Sequence, residues 1–215
     1  MDALVVNTFT NVWSRYLLLL HTRPLLTKCF TSLVGFVAGD AIAQCTTQPP
    51  PGPGHHRRRF YDVLRTLRLA IYGFCVGGPT AHYFYMGLDK VIVPSDPTSA
   101  LAVMTKMTID QCLWSPIGLV LFYIVIKTLE GRPGEIMETM RMKYVPTLRA
   151  GYMIWPLAHV INFWIIPSEQ RVLYINAVSV AWTVILCRIA NSIQRGGSFK
   201  GKLEQTDMTA AGVQV

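Results

Sequence analysis

Charge is scarce in this 215-residue sequence. Only 15% of it is Asp, Glu, Lys or Arg, where a soluble domain carries roughly 25%. That is too little polar surface to coat a water-soluble globule of this size. The five cysteines, Cys29, Cys45, Cys75, Cys112 and Cys187, are odd in number and form no close pair. Neither a disulfide framework nor a metal-ligand spacing is present. A phosphate-binding glycine loop, a nucleophile elbow and an internal repeat are all missing, and His82 and His159 are too isolated to form a catalytic pair. The sequence therefore predicts no enzyme, no cofactor and no metal. A secretory leader is not indicated, because His21 and Arg23 follow directly on the Leu17 to Leu20 run and no small-residue cleavage site appears. Three basic residues against the single acid Asp2 in the first 28 are compatible with mitochondrial import, and the end of the chain carries no Ser-Lys-Leu address.

What is abundant is apolar. Hydrophobic residues make up 51% of the chain and the mean hydropathy is +0.34. Residues 69–88 form a charge-free run of twenty and 150–168 one of nineteen, while 111–126 and 172–187 give sixteen each. About twenty residues of helix cross roughly 30 Å of hydrocarbon. A fifth stretch, 25–44, carries Lys28 near its start and Asp40 within it. Five such runs predict an all-α, polytopic transmembrane bundle of four to five membrane-embedded helices. The expected organisation is an N-terminal segment, 1–24, read as an interfacial helix, then a bundle over 25–192 with a linker at 45–59, then a polar, disordered tail at 193–215.

The net charge of +8 is then read along the membrane. Five crossings place six Lys and Arg on one side and fourteen on the other, the asymmetry expected of a positive-inside arrangement. If the last two runs make a single crossing or a re-entrant pair, the asymmetry nearly vanishes. Five crossings also put the N-terminus on the less basic side. The linker's Pro-Gly cluster cannot continue a helix, so the first span should end near Gln44. Arg57, Arg58 and Arg59 beside it are expected to meet anionic lipid headgroups rather than nucleic acid. Gly35 and Gly39, and again Gly73 and Gly77, make small-residue stripes that let helix backbones approach. Packing within one bundle is the first expectation for them and homo-oligomerisation the second. Pro79 and Pro116 should kink their spans.

Polar residues inside apolar runs must face protein or water. Asp40, Gln44, His82, Asp110, Gln111, His159 and Asn162 are the candidates, with Asn176 beside them. Asp40 and Gln44 share a helix face. Asp110 and Gln111 begin the third run, where an interfacial cap or an arginine pair is the first expectation. The stretch WPLAHVINFWIIPSEQR, 155–171, puts Trp155, His159 and Asn162 on one helical face. Pro156 is tolerated early in that helix and Pro167 ends it. This polar stripe either bonds helices together or lines a pore.

Trp155-Pro156, Asn162-Phe163, Pro167, Arg171 and Trp182 resemble the signature of the Mpv-seventeen / peroxisomal-membrane-protein-twenty-two family. Pro24, Gly39-Asp40 with Gln44, Gly78-Pro79 with His82 and Tyr85, Leu88-Asp89, and Asp110-Gln111 with Pro116 extend the match over about residues 13 to 192. His159 stands where the family often has glutamine, and the proline-rich insert before Arg57 is a departure. The resemblance implies a small integral protein of the mitochondrial inner membrane or the peroxisomal membrane. It also implies four spans, against the five that the charges favour, and a weakly selective channel for small solutes. A non-conducting scaffold binding a partner or anionic lipid is the alternative.

Overall fold

The computed structural model describes residues 2–46 and 61–183. All regular structure among them is helical. Helix α1 (Asp2–Thr22) is followed after one residue by α2 (Pro24–Thr46). Pro24 supplies no N–H, and the chain folds back there: Thr27 Oγ1 donates to Leu19 O at 3.0 Å, and Tyr16 and Thr31 share a hydroxyl bond of 3.3 Å. Helix α3 (63–91) starts on an Asp62 cap whose carboxylate accepts from Arg65 N. Helix α4 (Ala100–Leu129), capped by Ser99, has 30 residues and is about 45 Å long. Helices α5 (Ile136–Gly151) and α6 (Trp155–Trp164) follow, and α7 covers 171–183.

These segments alternate between two ends of a bundle. At one end Lys106 of α4 reaches Asp89 of α3. At the other, Arg68 Nε donates to Leu129 O. Helix α4 then runs antiparallel to α5 and α6, with Tyr152 bonded to Gln111 and Tyr123 to Thr147. Helix α7 returns beside α2, where Asn176 Nδ2 donates to Ser32 Oγ at 3.1 Å.

The distribution of polarity is inverted relative to a soluble protein. Lys106, Asn162, Asp40 and Asp110 are at most 1% exposed, whereas Leu101 is 70% and Leu157 69% exposed. An apolar exterior around a polar interior is what a helical bundle in hydrocarbon requires. Among the described residues two helices, Pro24–Cys45 and Ala100–Leu129, are long and apolar enough to cross a membrane individually.

Several sequence expectations are corrected here. Residues 150–168 are not one helix: α5 ends at Gly151, a turn covers 152–154, and α6 begins at Trp155. Asp110 and Gln111 do not start a helix, because α4 begins ten residues earlier on its Ser99 cap. Asp110 is therefore an interior residue, not a cap, and it pairs with no arginine among the described residues. Lys106, which enters the sequence count as a loop charge among the six on the less basic side, is helical and fully buried. The first span runs through Thr46, just past Gln44. Arg57, Arg58 and Arg59, most of the linker and the tail at 193–215 lie outside the described residues.

The small-residue stripes pack within the chain. A Cβ at Gly35 would meet Asn176 at 2.9 Å, one at Gly39 Thr183 at 3.2 Å, and one at Gly73 the Ser32 carbonyl oxygen at 2.9 Å. Gly77 faces Phe36. The tightest approach is at Gly78, which the stripe did not single out: a Cβ there would lie 2.6 Å from Cys29 Cα.

Candidate functional site

Both long central helices widen just before a proline. Residues Gly73–Gly77 of α3 and Asp110–Trp114 of α4 are π turns, ending two residues ahead of Pro79 and Pro116. A proline has no N–H for the preceding turn, and an inserted π turn absorbs the mismatch. In α4 the Ser115 N–H bonds back to Asp110 O, so Gln111 O has no helical donor left at Pro116. Tyr152, in the break between α5 and α6, donates its hydroxyl to that carbonyl at 3.1 Å. The widened turn and the broken helix thus meet at one level of the bundle.

The polar centre sits at that level. His159 Nε2 lies 2.9 Å from Asp110 Oδ2, and Gln111 Nε2 donates to the same oxygen at 2.8 Å. In the neutral ring this contact puts the proton on Nε2 and leaves Nδ1 an acceptor. Trp155 packs over His159 at 5.6 Å between ring centroids, Phe163 stacks at 5.8 Å, and Tyr85 closes from α3 at 6.4 Å. Asn162 is one turn further on the same buried face. Five buried atoms here have no hydrogen-bond partner among the described residues: Asp110 Oδ1, Gln111 Oε1, His159 Nδ1 and both amide atoms of Asn162. Beside Trp155 is a cavity of about 200 Å³, lined by Ser115, Gly118, Thr147, Gly151 and Trp182 among others. That volume holds about six waters.

Two further polar groups brace the ends of the bundle. Asp89 of α3 accepts from Lys106 Nζ at 2.8 Å, from Arg171 at 2.6 Å and from Ser168. Arg171 also lies 5.3 Å above the Phe163 ring, tying this group to the polar centre. At the opposite end Asp40 of α2 accepts from Thr66 Oγ1 at 2.6 Å and Gln44 Nε2 at 2.7 Å. Arg65 Nε stands 2.8 Å from Asp40 Oδ1, yet no N–H is aimed at that oxygen, so the contact is a charge pair rather than a directed bond.

Comparison with known proteins matches this architecture to a family. The profile described as the Mpv17 / PMP22 family matches residues 127–187, which cover α5, the break and α6 with its polar face. Protein sym1 of Aspergillus oryzae is 34% identical over 170 residues, covering 79% of this chain and 92% of that relative. The chain belongs to the Mpv17 / PMP22 family. It is an integral membrane protein. Peroxisomal membrane protein 2 of Bos taurus is 33% identical over 82% of this chain and 88% of its own length. PXMP2/4 family protein 4 of Dictyostelium discoideum is 31% identical over 83% and 93% respectively. No solved structure matches significantly.

Of the family motifs read from the sequence, the structure brings Asp110, Gln111 and His159 into contact and sets Asn162 on the same face. Asp40 and Gln44 belong to a different group, at the α2–α3 end. His82 joins neither; it packs edge-on against Tyr83 at 5.1 Å, and its Nδ1 has no partner among the described residues. Trp155 and Trp182 meet at 6.3 Å. Pro156 lies in the first turn of α6, and the helix stops at Trp164, ahead of Pro167. Sequence reasoning missed the pairing of Asp89 with Lys106. Its signal was a lone lysine in the apolar stretch ALAVMTKMTI, a charge that must find a partner once that stretch is buried. Among the described residues no group of His, Cys, Asp and Glu could hold a metal ion.

Proposed function

We propose that the chain is a weakly selective channel for small solutes, with Asp110, Gln111, His159 and Asn162 as the polar lining at mid-bundle. The observation that carries this reading is the set of five buried, unpartnered polar atoms on those residues. An unpaired buried polar group costs about 1–3 kcal/mol. A bundle in lipid keeps several of them together where water or a solute completes their bonds. The coincidence of a broken helix with a π turn beside a cavity that Ser115 and Thr147 share with mostly apolar residues supports the same reading, since irregular backbone at membrane depth is kept where it is buried in protein or lines a water-filled space. Trp155 and Trp182, 6.3 Å apart between ring centroids, both line that cavity. The proposed location is the mitochondrial inner membrane, supported by the basic first 28 residues. One relative is named for the peroxisomal membrane, and organelle fractionation separates the two.

The test is single-channel recording of the purified chain in a planar bilayer, beside an Asp110→Asn, His159→Ala double variant. Reproducible openings whose conductance or ion selectivity changes in the variant support the lining. Openings that are identical in both place the pathway elsewhere. Silence from folded protein favours a non-conducting scaffold.

A further inference from the structure

The crook between α1 and α2, closed on its third side by α7, forms a groove of about 700 Å³, within the range of a single-ligand site. Its walls are the apolar faces of α2 (Leu26, Phe30, Val34) and α7 (Leu173, Ala177, Val180). Four polar side chains also line it, and each is already engaged. Thr27 donates to Leu19 O and Arg23 O, and Thr31 donates to Thr27 O. Tyr16 bonds Thr31, and Asn176 donates to Ser32 and Val172 O. What they offer an occupant is carbon. Arg23, at the α1–α2 elbow, is the one charged lining residue, and it has no acidic partner among the described residues.

We infer that this groove binds one phospholipid, with an acyl chain along α2 and α7 and the phosphate on Arg23. Charge complementarity selects the headgroup, because an uncompensated guanidinium beside an apolar trough fits an amphiphile with an anionic end. Length agrees as well. Arg23 to Ala38 spans fifteen residues of α2, about 22 Å, enough to cover one leaflet of a hydrocarbon core roughly 30 Å thick. This site is separate from the proposed pore and does not depend on it.

Native mass spectrometry of the delipidated full chain tests the assignment, using phosphatidylglycerol and diacylglycerol with the same acyl chains. One phosphatidylglycerol should bind per chain, roughly tenfold more tightly than diacylglycerol. Arg23→Gln should erase that preference while leaving weak chain binding. Ala177→Phe, which fills the groove from its exposed side, should abolish binding of both, with an unchanged melting midpoint reporting that it folds. Wild-type protein that binds no lipid overturns the site, as does Ala177→Phe binding as much as wild type. Full headgroup preference in Arg23→Gln overturns the role of Arg23. A dimer that disappears with Ala177→Phe makes the occupant a second copy of the chain.

Discussion

Asp89 carries two buried cations, Lys106 and Arg171, on one carboxylate, with Ser168 as a third donor. Removing one partner of a buried pair is destabilising by about 3–5 kcal/mol, because the survivor keeps its desolvation without compensation. Lys106→Met leaves Asp89 still paired with Arg171, so its loss should fall at or below about 3 kcal/mol. Asp89→Asn strands both cations and should lower the melting midpoint in detergent further than Lys106→Met does. Equal midpoints would show that Arg171 and Lys106 do not depend on Asp89. At Gly78 the argument is steric. Gly78→Ala drives a Cβ into the α2 backbone at Cys29, and overpacking of that kind costs about 1–3 kcal/mol. Gly87→Ala has nothing within 4 Å and sits mid-helix, so it should be neutral or stabilising. The same melting assay compares the two.

At the scale of elements, the π turn of α4 and the break between α5 and α6 are coupled through the Tyr152 hydroxyl on Gln111 O. That carbonyl is free only because Pro116 cannot donate to it. Tyr152→Phe should therefore cost about 1 kcal/mol in the wild-type chain. In a Pro116→Ala background the helix supplies its own N–H, and the cost should shrink. A double-mutant cycle on thermal stability measures this, and strict additivity would refute the coupling. The turn joining α4 to α5 behaves differently because it lies outside the spans. Burial raises the Glu130 carboxyl, but the hydrogen bond and charge of Lys127, with Arg132, outweigh it and hold the group below its usual range. Glu135 is held down first by its hydrogen bond to Lys127. Depressed carboxylates stabilise the fold above their ordinary range, near pH 4.5, and lose that contribution as the pH falls through their lower folded values. The stability difference between wild type and Lys127→Met should accordingly be present at neutral pH and fade on acidification. A difference that grows in acid would contradict the sign.

For the whole molecule, alternating helices put the 92–99 and 165–170 turns at one end of the bundle and the 130–135 turn at the other. Single cysteines at Ser95 and Gly134, in a chain otherwise free of cysteine, should react with a membrane-impermeant maleimide from opposite faces of sealed vesicles. A cysteine at Glu169 should label with the Ser95 position. Labelling of all three from one face would overturn the alternation.

The sequence by itself determined the solvent and the class. Too little charge and five apolar runs leave lipid as the only medium in which these helices can bury their surface, and the motifs from Pro24 to Trp182 identify the family. It also marked Asp110, Gln111, His159 and Asn162, since ionisable and amide groups in apolar runs must face inward wherever the chain goes. Only the tertiary structure decided their grouping. Residues 110 and 159 lie 49 positions apart, and no periodicity encodes which faces of α4 and α6 meet. The same holds for Lys106, which reads as a loop charge until α4 is seen to start at Ala100 and Asp89 is found opposite it. Helix period is local and legible along the chain. Pairing across a bundle depends on how π turns, a proline-driven break and close glycine contacts rotate each helix, and those rotations exist only once all the helices have packed.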